Sequence, residues 1–238
     1  MDRVKFVRAI QTGKTDFQQA DLRQLRLSGH SLDLLDLSGA DLRHSSFIAG
    51  TFMDCRFVGA RFDGAALRNA MFRSCDLSGV SFGDVDLAGV DFTGCRLAEA
   101  DFRGALNLHD AVLGGCDMSG ILLSDQILAE AELTGANLTG ADLSGADLTG
   151  AQLRAARFIG ATLVGTDLRC ADLRDANFRD ADLRGADLRE ANGERMDLRG
   201  ADLRGAQLQR AVLNGIDVRK ANLEGADMSL ASLVGVIE

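Results

Sequence analysis

Every fifth residue of this chain is Leu or Phe, and no other feature of the sequence limits its fold so tightly. The series runs from Phe17 through Leu22, Leu27, Leu32, Leu37, Leu42 and Phe47 to Phe102 without a break. It skips one residue, resumes at Leu108 and continues to Leu233, with Met118, Val218 and Met228 as variants and Gly193 as the one failure. A period of five matches neither 3.6 nor 3.5, so a helix would wind these side chains around all of its faces. Two residues before each central Leu or Phe stands a small residue, usually Ala, and between the two lies an Asp or Asn. Two inward positions flanking one outward polar position is strand alternation. Most of the 27 glycines fall two residues after the central one, where the backbone must turn a corner. Each pentad is therefore a short strand plus a corner, and the chain has to coil as a solenoid.

Second-order periods count the sides of that coil. Phe52, Phe62, Phe72, Phe82, Phe92 and Phe102 recur every ten residues, which stacks like on like only if the number of sides is even. Cys55, Cys75 and Cys95 recur every twenty, and Cys116 continues the series once the inserted residue is allowed for. Twenty residues per coil means four sides.

Units such as Ala136-Asn137-Leu138-Thr139-Gly140 and Ala201-Asp202-Leu203-Arg204-Gly205 resemble the pentapeptide-repeat protein family, and the resemblance extends from about Thr15 to Gly235. It implies an all-β fold, a right-handed quadrilateral β-helix whose small and central residues fill the axis. The 44 pentads, at four per coil, give about 11 coils. Ahead of the repeat, Asp2 to Thr12 reads as a short helix with Val4, Val7 and Ile10 on one face and Gly13 as its stop. The expected organisation is a capping helix at 1–14 and a repeat β-helix at 15–238, with a one-residue frame shift near 103–108.

Charge and composition narrow the function. A net charge of -9 opposes broad attraction to nucleic acid or anionic lipid, both of which need a basic face. No apolar run reaches the ~18 residues of a membrane span, and Met1 to Lys14 lacks a signal-peptide core, so a cytoplasmic location is expected. Five cysteines without a CxxC suggest neither a disulfide framework nor zinc. His30, His44 and His109 are dispersed, no HExxH, GxSxG or P-loop occurs, and the outward aspartates recur all along the repeat. No enzyme activity, cofactor or metal is expected. The cysteine column reads as buried packing, with Cys170 an exposed thiol on a corner. Arg179, Arg199 and Arg219 should stack on one face and Arg184 and Arg204 on the next, within a lattice of salt bridges to interleaved aspartates.

One stretch breaks the charge balance. From Gly104 to Leu153 there is no Lys or Arg, while Asp110, Asp117, Asp125, Glu130, Glu132, Asp142 and Asp147 contribute seven negative charges. Within it Leu122 and Ile127 occupy outward positions that are normally polar. An apolar centre of Leu122 and Ile127 rimmed by Asp110, Asp125, Glu130, Asp142 and Asp147 would suit a basic protein partner; alternatively, the two residues belong to a loop folded on itself. At the end of the chain Leu233, Val234, Val236 and Ile237 form an apolar run, either a contact for a homodimer or a frayed end. The family resemblance implies a binding protein, and two readings follow from it. One is a DNA mimic that binds DNA gyrase or another type II topoisomerase and protects it from inhibitors, as fluoroquinolone-resistance members do. The other is a regulatory or scaffold protein for a different cytoplasmic partner.

Overall fold

The computed structural model describes residues 1–238. Two compact units divide the chain, residues 1–112 and 113–238. No helix is long and apolar enough to cross a membrane.

The first unit opens with helix α1, Arg3–Gln11. The Asp2 carboxylate accepts the Lys5 N–H at 2.9 Å, satisfying one of the donors a helix leaves unpaired at its start. Gly13 ends the helix at φ +87°, a conformation that only glycine adopts freely. Phe6 is buried and its ring lies 4.6 Å from that of Phe17, the first central residue of the repeat.

From there the backbone repeats one pattern. The Phe17 N–H donates to the Asp36 carbonyl in the next coil (2.8 Å) and the Gln19 N–H to that of Ser38 (2.9 Å). The Asp36 N–H returns to the Thr15 carbonyl (2.9 Å), and the Ala20 N–H closes a turn on the Phe17 carbonyl (3.2 Å). The third residue of that turn is left-handed, Gln19 at φ +55°, the position that type II turns reserve for glycine. Outward residues pair in parallel at intervals of twenty: Asp16 with Asp36, Asp36 with Arg56, Arg56 with Asp76. Four such columns run through each unit, so each coil has four sides. On one face of the first unit the pairing lengthens into three-residue strands, β1 (Ser31–Asp33), β2 (Thr51–Met53) and β3 (Met71–Arg73), in register.

The side chains inside follow the same lattice. In the first unit Phe52, Phe72 and Phe92 stack at 4.8 and 5.6 Å, and Phe62, Phe82 and Phe102 at 5.7 and 4.7 Å. In the second unit Leu and Ala fill the axis, with Phe158 stacked on Phe178 at 4.5 Å. The inserted residue is absorbed at 107–111. Leu106 still pairs with Asp86, but the next outward residue, Val112, pairs with Asp91, one step longer. Between them Asn107 is left-handed (φ +56°) and Leu108–Asp110 forms a 3-10 turn that keeps Leu108 buried. Gly193, the empty central position, stays in the ladder: its N–H donates to the Val212 carbonyl at 2.8 Å. Met196 is buried, and a Cβ placed on Gly193 would collide with its Cε and Sδ. The Met196 side chain fills the volume that the missing Leu leaves.

Candidate protein-binding surfaces

In the second unit the segment 121–130 remains within the coils. Leu122 pairs with Asp142 and Ile127 with Asp147, while Ile121, Leu123 and Leu128 point inward and are buried. Ile127 is 63% exposed, whereas Leu122 is half-buried. The two lie on adjacent faces, with Asp125 and Glu130 at the following corners in left-handed conformation. Asp125 leans over the next coil, where a Cβ on Gly145 would meet its Oδ1 at 2.5 Å, so glycine is what gives it room. The Asp142 carboxylate accepts the Ser144 N–H and hydroxyl at 3.0 and 2.7 Å, and that of Asp147 the Thr149 N–H at 3.0 Å. No Lys or Arg pairs with Asp125, Glu130, Asp142 or Asp147. Asp110 belongs to the first unit, at the end of the 3-10 turn, with His109 Nε2 at 3.6 Å. The structure thus joins Leu122 to Asp142 and Ile127 to Asp147 as neighbours across coils.

The arginines form a lattice of ion pairs, some of which span coils, as Arg195 to Asp175 at 2.7 Å and Arg73 to Asp91 at 3.1 Å. In each Asp-x-Arg pentad the guanidinium folds back on the carboxylate two residues earlier, which also accepts the Arg backbone N–H. Arg199 meets Asp197 at 2.5 Å and Asp217 of the next coil only at 3.5 Å, and Arg184 meets Asp182 at 2.7 Å and Asp202 at 4.0 Å. Arg169, Arg174, Arg189 and Arg219 repeat the clamp. The side-chain hydrogen bond from Arg219 holds the Asp217 carboxyl down at about 2. The same contact from Arg43 lowers Asp41, and from Arg174, whose Nε lies 2.7 Å from the carboxylate, it lowers Asp172. Arg179 is the contrast: its pentad carries Asn177 in place of Asp, and it forms no ion pair. The clamp could have been found in the sequence from the Asp-x-Arg spacing, although Arg61, Arg68, Arg73, Arg154 and Arg195 form ion pairs without it.

The remaining candidates are inward or terminal. Cys55, Cys75 and Cys95 are buried, and their thiols donate to the carbonyls of Leu32 (3.2 Å), Phe52 (3.5 Å) and Phe72 (3.1 Å). Contact with the Cys75 thiol, and then burial, push the Cys55 thiol far above its ordinary range, which removes its reactivity. No group of three or more His, Cys, Asp or Glu could hold a metal ion. At the chain end Ile237 stays in the ladder, paired with Asp217, and its N–H donates to the Ile216 carbonyl at 2.9 Å. Leu233, Val234 and Ile237 are exposed there and Val236 is half-buried.

Comparison with known proteins agrees with this architecture. The family described as "Pentapeptide repeats (8 copies)" matches residues 14–47, 107–145, 146–185, 176–215 and 201–237, and the "Pentapeptide repeat region" matches 35–102. Among solved structures, HetL from the cyanobacterium Nostoc sp. strain PCC 7120, described as involved in heterocyst differentiation regulation, is 33% identical. The match covers 100% of this chain and 94% of HetL, with a TM-score of 0.37. A trypsin-treated variant of QnrB1, a plasmid-mediated fluoroquinolone resistance protein, is 23% identical over 92% of this chain and 88% of its own, with a TM-score of 0.30. Rfr23 from the cyanobacterium Cyanothece 51142 is 24% identical over 52% of this chain and 88% of its own, with a TM-score of 0.20. A search of curated proteins finds no match. With its repeats matched along nearly all of its length, the chain belongs to the pentapeptide-repeat family, whose fold is a right-handed β-helix.

Proposed function

We propose that this protein is a non-enzymatic binding scaffold whose contact surface centres on Ile127, with about 11 coils in all and α1 covering the first. The observation that carries the reading is an exposed aliphatic side chain (63%) set among carboxylates that form no ion pair within hydrogen-bonding reach of a Lys or Arg, Asp147 feeling only the more distant charge of Arg169. Everywhere a clamp is present, the acidic charge is satisfied within its own pentad. Around Ile127 it is free to steer a basic partner, while the aliphatic centre supplies the desolvated contact.

The surroundings of Ile127 also decide how far duplex mimicry can go. Duplex DNA presents about one charge per 1.7 Å. Asp117, Asp125, Glu130, Glu132, Asp142 and Asp147 occupy two coils, about 10 Å at strand spacing, which approaches that density in total. They are spread over all four faces, so a partner meeting one or two faces meets far fewer. A regulatory or scaffold contact with a basic protein is therefore the favoured reading. Binding to a type II topoisomerase is the second, supported by the acidic stretch itself, which holds no Lys or Arg.

A photo-crosslinking residue placed at Ile127 should capture a partner that the same residue at Val212, on another face, does not. Equal capture from both positions, or none from either, would remove the proposed surface. Supercoiling and quinolone-protection assays with purified gyrase test the second reading, and an unchanged enzyme would dismiss it. A homodimer through Leu233, Val234, Val236 and Ile237 is proposed for the last coil; sedimentation as a monomer at high concentration would rule it out.

A further inference from the structure

The other end of the charge range lies around α1. Across residues 1–30 the cations Arg3, Lys5, Arg8, Lys14, Arg23 and Arg26 face only Asp2, Asp16 and Asp21, although the whole chain carries -9. Arg23 is clamped by Asp21 at 2.7 Å and Lys5 approaches Asp2 at 3.6 Å. Arg3, Arg8, Lys14 and Arg26 form no ion pair. Arg3 instead donates to His30 Nε2 at 3.4 Å, while His30 Nδ1–H donates to the Ser28 carbonyl at 3.0 Å, an arrangement that uses the neutral imidazole.

Several of these cations line two shallow clefts that share Arg3, one along the helix and one at its start. One, of about 300 Å³, is lined by Arg3, Val4, Val7, Arg8, Gln11 and His30. The other, of about 370 Å³, has Met1, Asp2, Arg3, Arg23, Leu25 and Arg26 in its walls, with Asp2 engaged by Lys5 and Arg23 by Asp21. Packing of Phe6 on Phe17 fixes the helix over the first coil and leaves Val4 74% exposed beside the first cleft. An aliphatic floor with unpaired guanidinium groups at its rim matches one chemistry: carboxylates next to aliphatic side chains. Guanidinium forks bind carboxylates through two parallel hydrogen bonds, and the valines take the apolar part.

We propose that α1 and the first coil form a docking surface for a short acidic segment of a partner protein, one in which carboxylates alternate with aliphatic residues. A short segment is required because these unpaired cations are confined to α1 and the first coil, and the column beside them carries Asp16 and Asp36, neither of which is clamped by an Arg. A long polyanion or an extended anionic surface would meet those carboxylates. The proposal does not depend on the role given to Ile127.

The test is fluorescence anisotropy of the full chain with a labelled synthetic peptide of alternating Glu and Leu, beside its Gln-for-Glu counterpart. The acidic peptide should bind, weaken with added salt, and lose roughly tenfold or more in affinity in the Arg3→Glu, Arg8→Glu double variant. The milder Arg3→Gln, Arg8→Gln pair should show a smaller loss with an unchanged melting temperature, and Arg184→Glu in the second unit none. Equal binding by the Gln counterpart, or binding indifferent to both double variants, would overturn the proposal. So would failure of the acidic peptide to bind, or binding of phosphatidylserine vesicles in its place. Self-association that the Arg3→Glu, Arg8→Glu variant abolishes would also overturn it in favour of a second copy.

Discussion

Met196 and Gly193 show how a regular lattice repairs a fault one residue at a time. The sequence already pointed to the repair, since a Met stands where Ala is normal three residues after the only empty central position. Met196→Ala should open a cavity and cost roughly 2 to 5 kcal/mol in chemical denaturation. Gly193→Leu alone should also destabilise, because the new side chain meets the Met196 Sδ and Cε. The two changes together restore an ordinary pentad, so the double variant should be more stable than either single one, a coupling of opposite sign to additivity. Ala155 makes a second residue-level case. It holds a left-handed corner at φ +57° with an exposed side chain that contributes little packing. Ala155→Gly should raise stability by roughly 1 kcal/mol, the strain an L-residue bears in that conformation. An unchanged or lower midpoint would show that unfolded-state entropy outweighs that strain.

At the scale of the pentad, the Asp-x-Arg clamp sets the response to acid. Clamped aspartates such as Asp101, Asp167, Asp182 and Asp197 are lowered chiefly by the Arg hydrogen bond, and Asp217 reaches about 2. Their folded pKa lies below the unfolded value, so their contribution is fully present above the ordinary carboxylate range of about 4 and is lost as pH falls toward 2. Thermal stability should therefore be level above about pH 5 and decline between about pH 4 and 2, with each exposed pair contributing little alone. A melting temperature that stays level down to pH 2 would show that the clamps persist in the unfolded chain. The five-residue period made the strand and corner legible because it is local. The clamp is a local pattern within the expected salt-bridge lattice: its Asp-x-Arg spacing stands in the sequence, and side-chain geometry shows that Nε and Nη2 reach the acid of their own pentad first. Leu122 and Ile127 were equally outward by position, yet only Ile127 is well exposed. The frame shift was visible as an extra residue near Leu108, but its shape as a 3-10 turn depends on keeping Leu108 inside.

For the molecule as a whole, stability has to be carried from coil to neighbouring coil, as in other repeat proteins. A coil with a neighbour on each side donates in both directions, the Asp182 N–H to the Ala161 carbonyl before it and the Leu183 N–H to the Asp202 carbonyl after it. Among residues 219–238 the N–H groups of Leu223, Met228 and Leu233 meet no carbonyl of another coil, and all three are only partly buried or exposed. Hydrogen exchange should be fastest at these amides and slowest at interior ones such as Leu163 and Leu183, whose N–H groups meet the Asp182 and Asp202 carbonyls at 2.7 and 2.8 Å. Uniform protection across these positions would argue for one cooperative opening in place of graded fraying. The distribution of charge at this scale, a basic start beside otherwise acidic coils, was present in the sequence. Its meaning was not, because whether Arg3 or Arg26 is neutralised depends on which carboxylates the coils bring within reach.

The cysteine column described above has a practical consequence. Cys55, Cys75 and Cys95 sit in successive coils with their thiols turned inward, so a labelling reagent can reach each one only when its own coil parts from the stack. The rate at which each thiol is modified therefore reports the opening frequency at one fixed height, and the three together act as a graduated gauge of breathing inside the first unit.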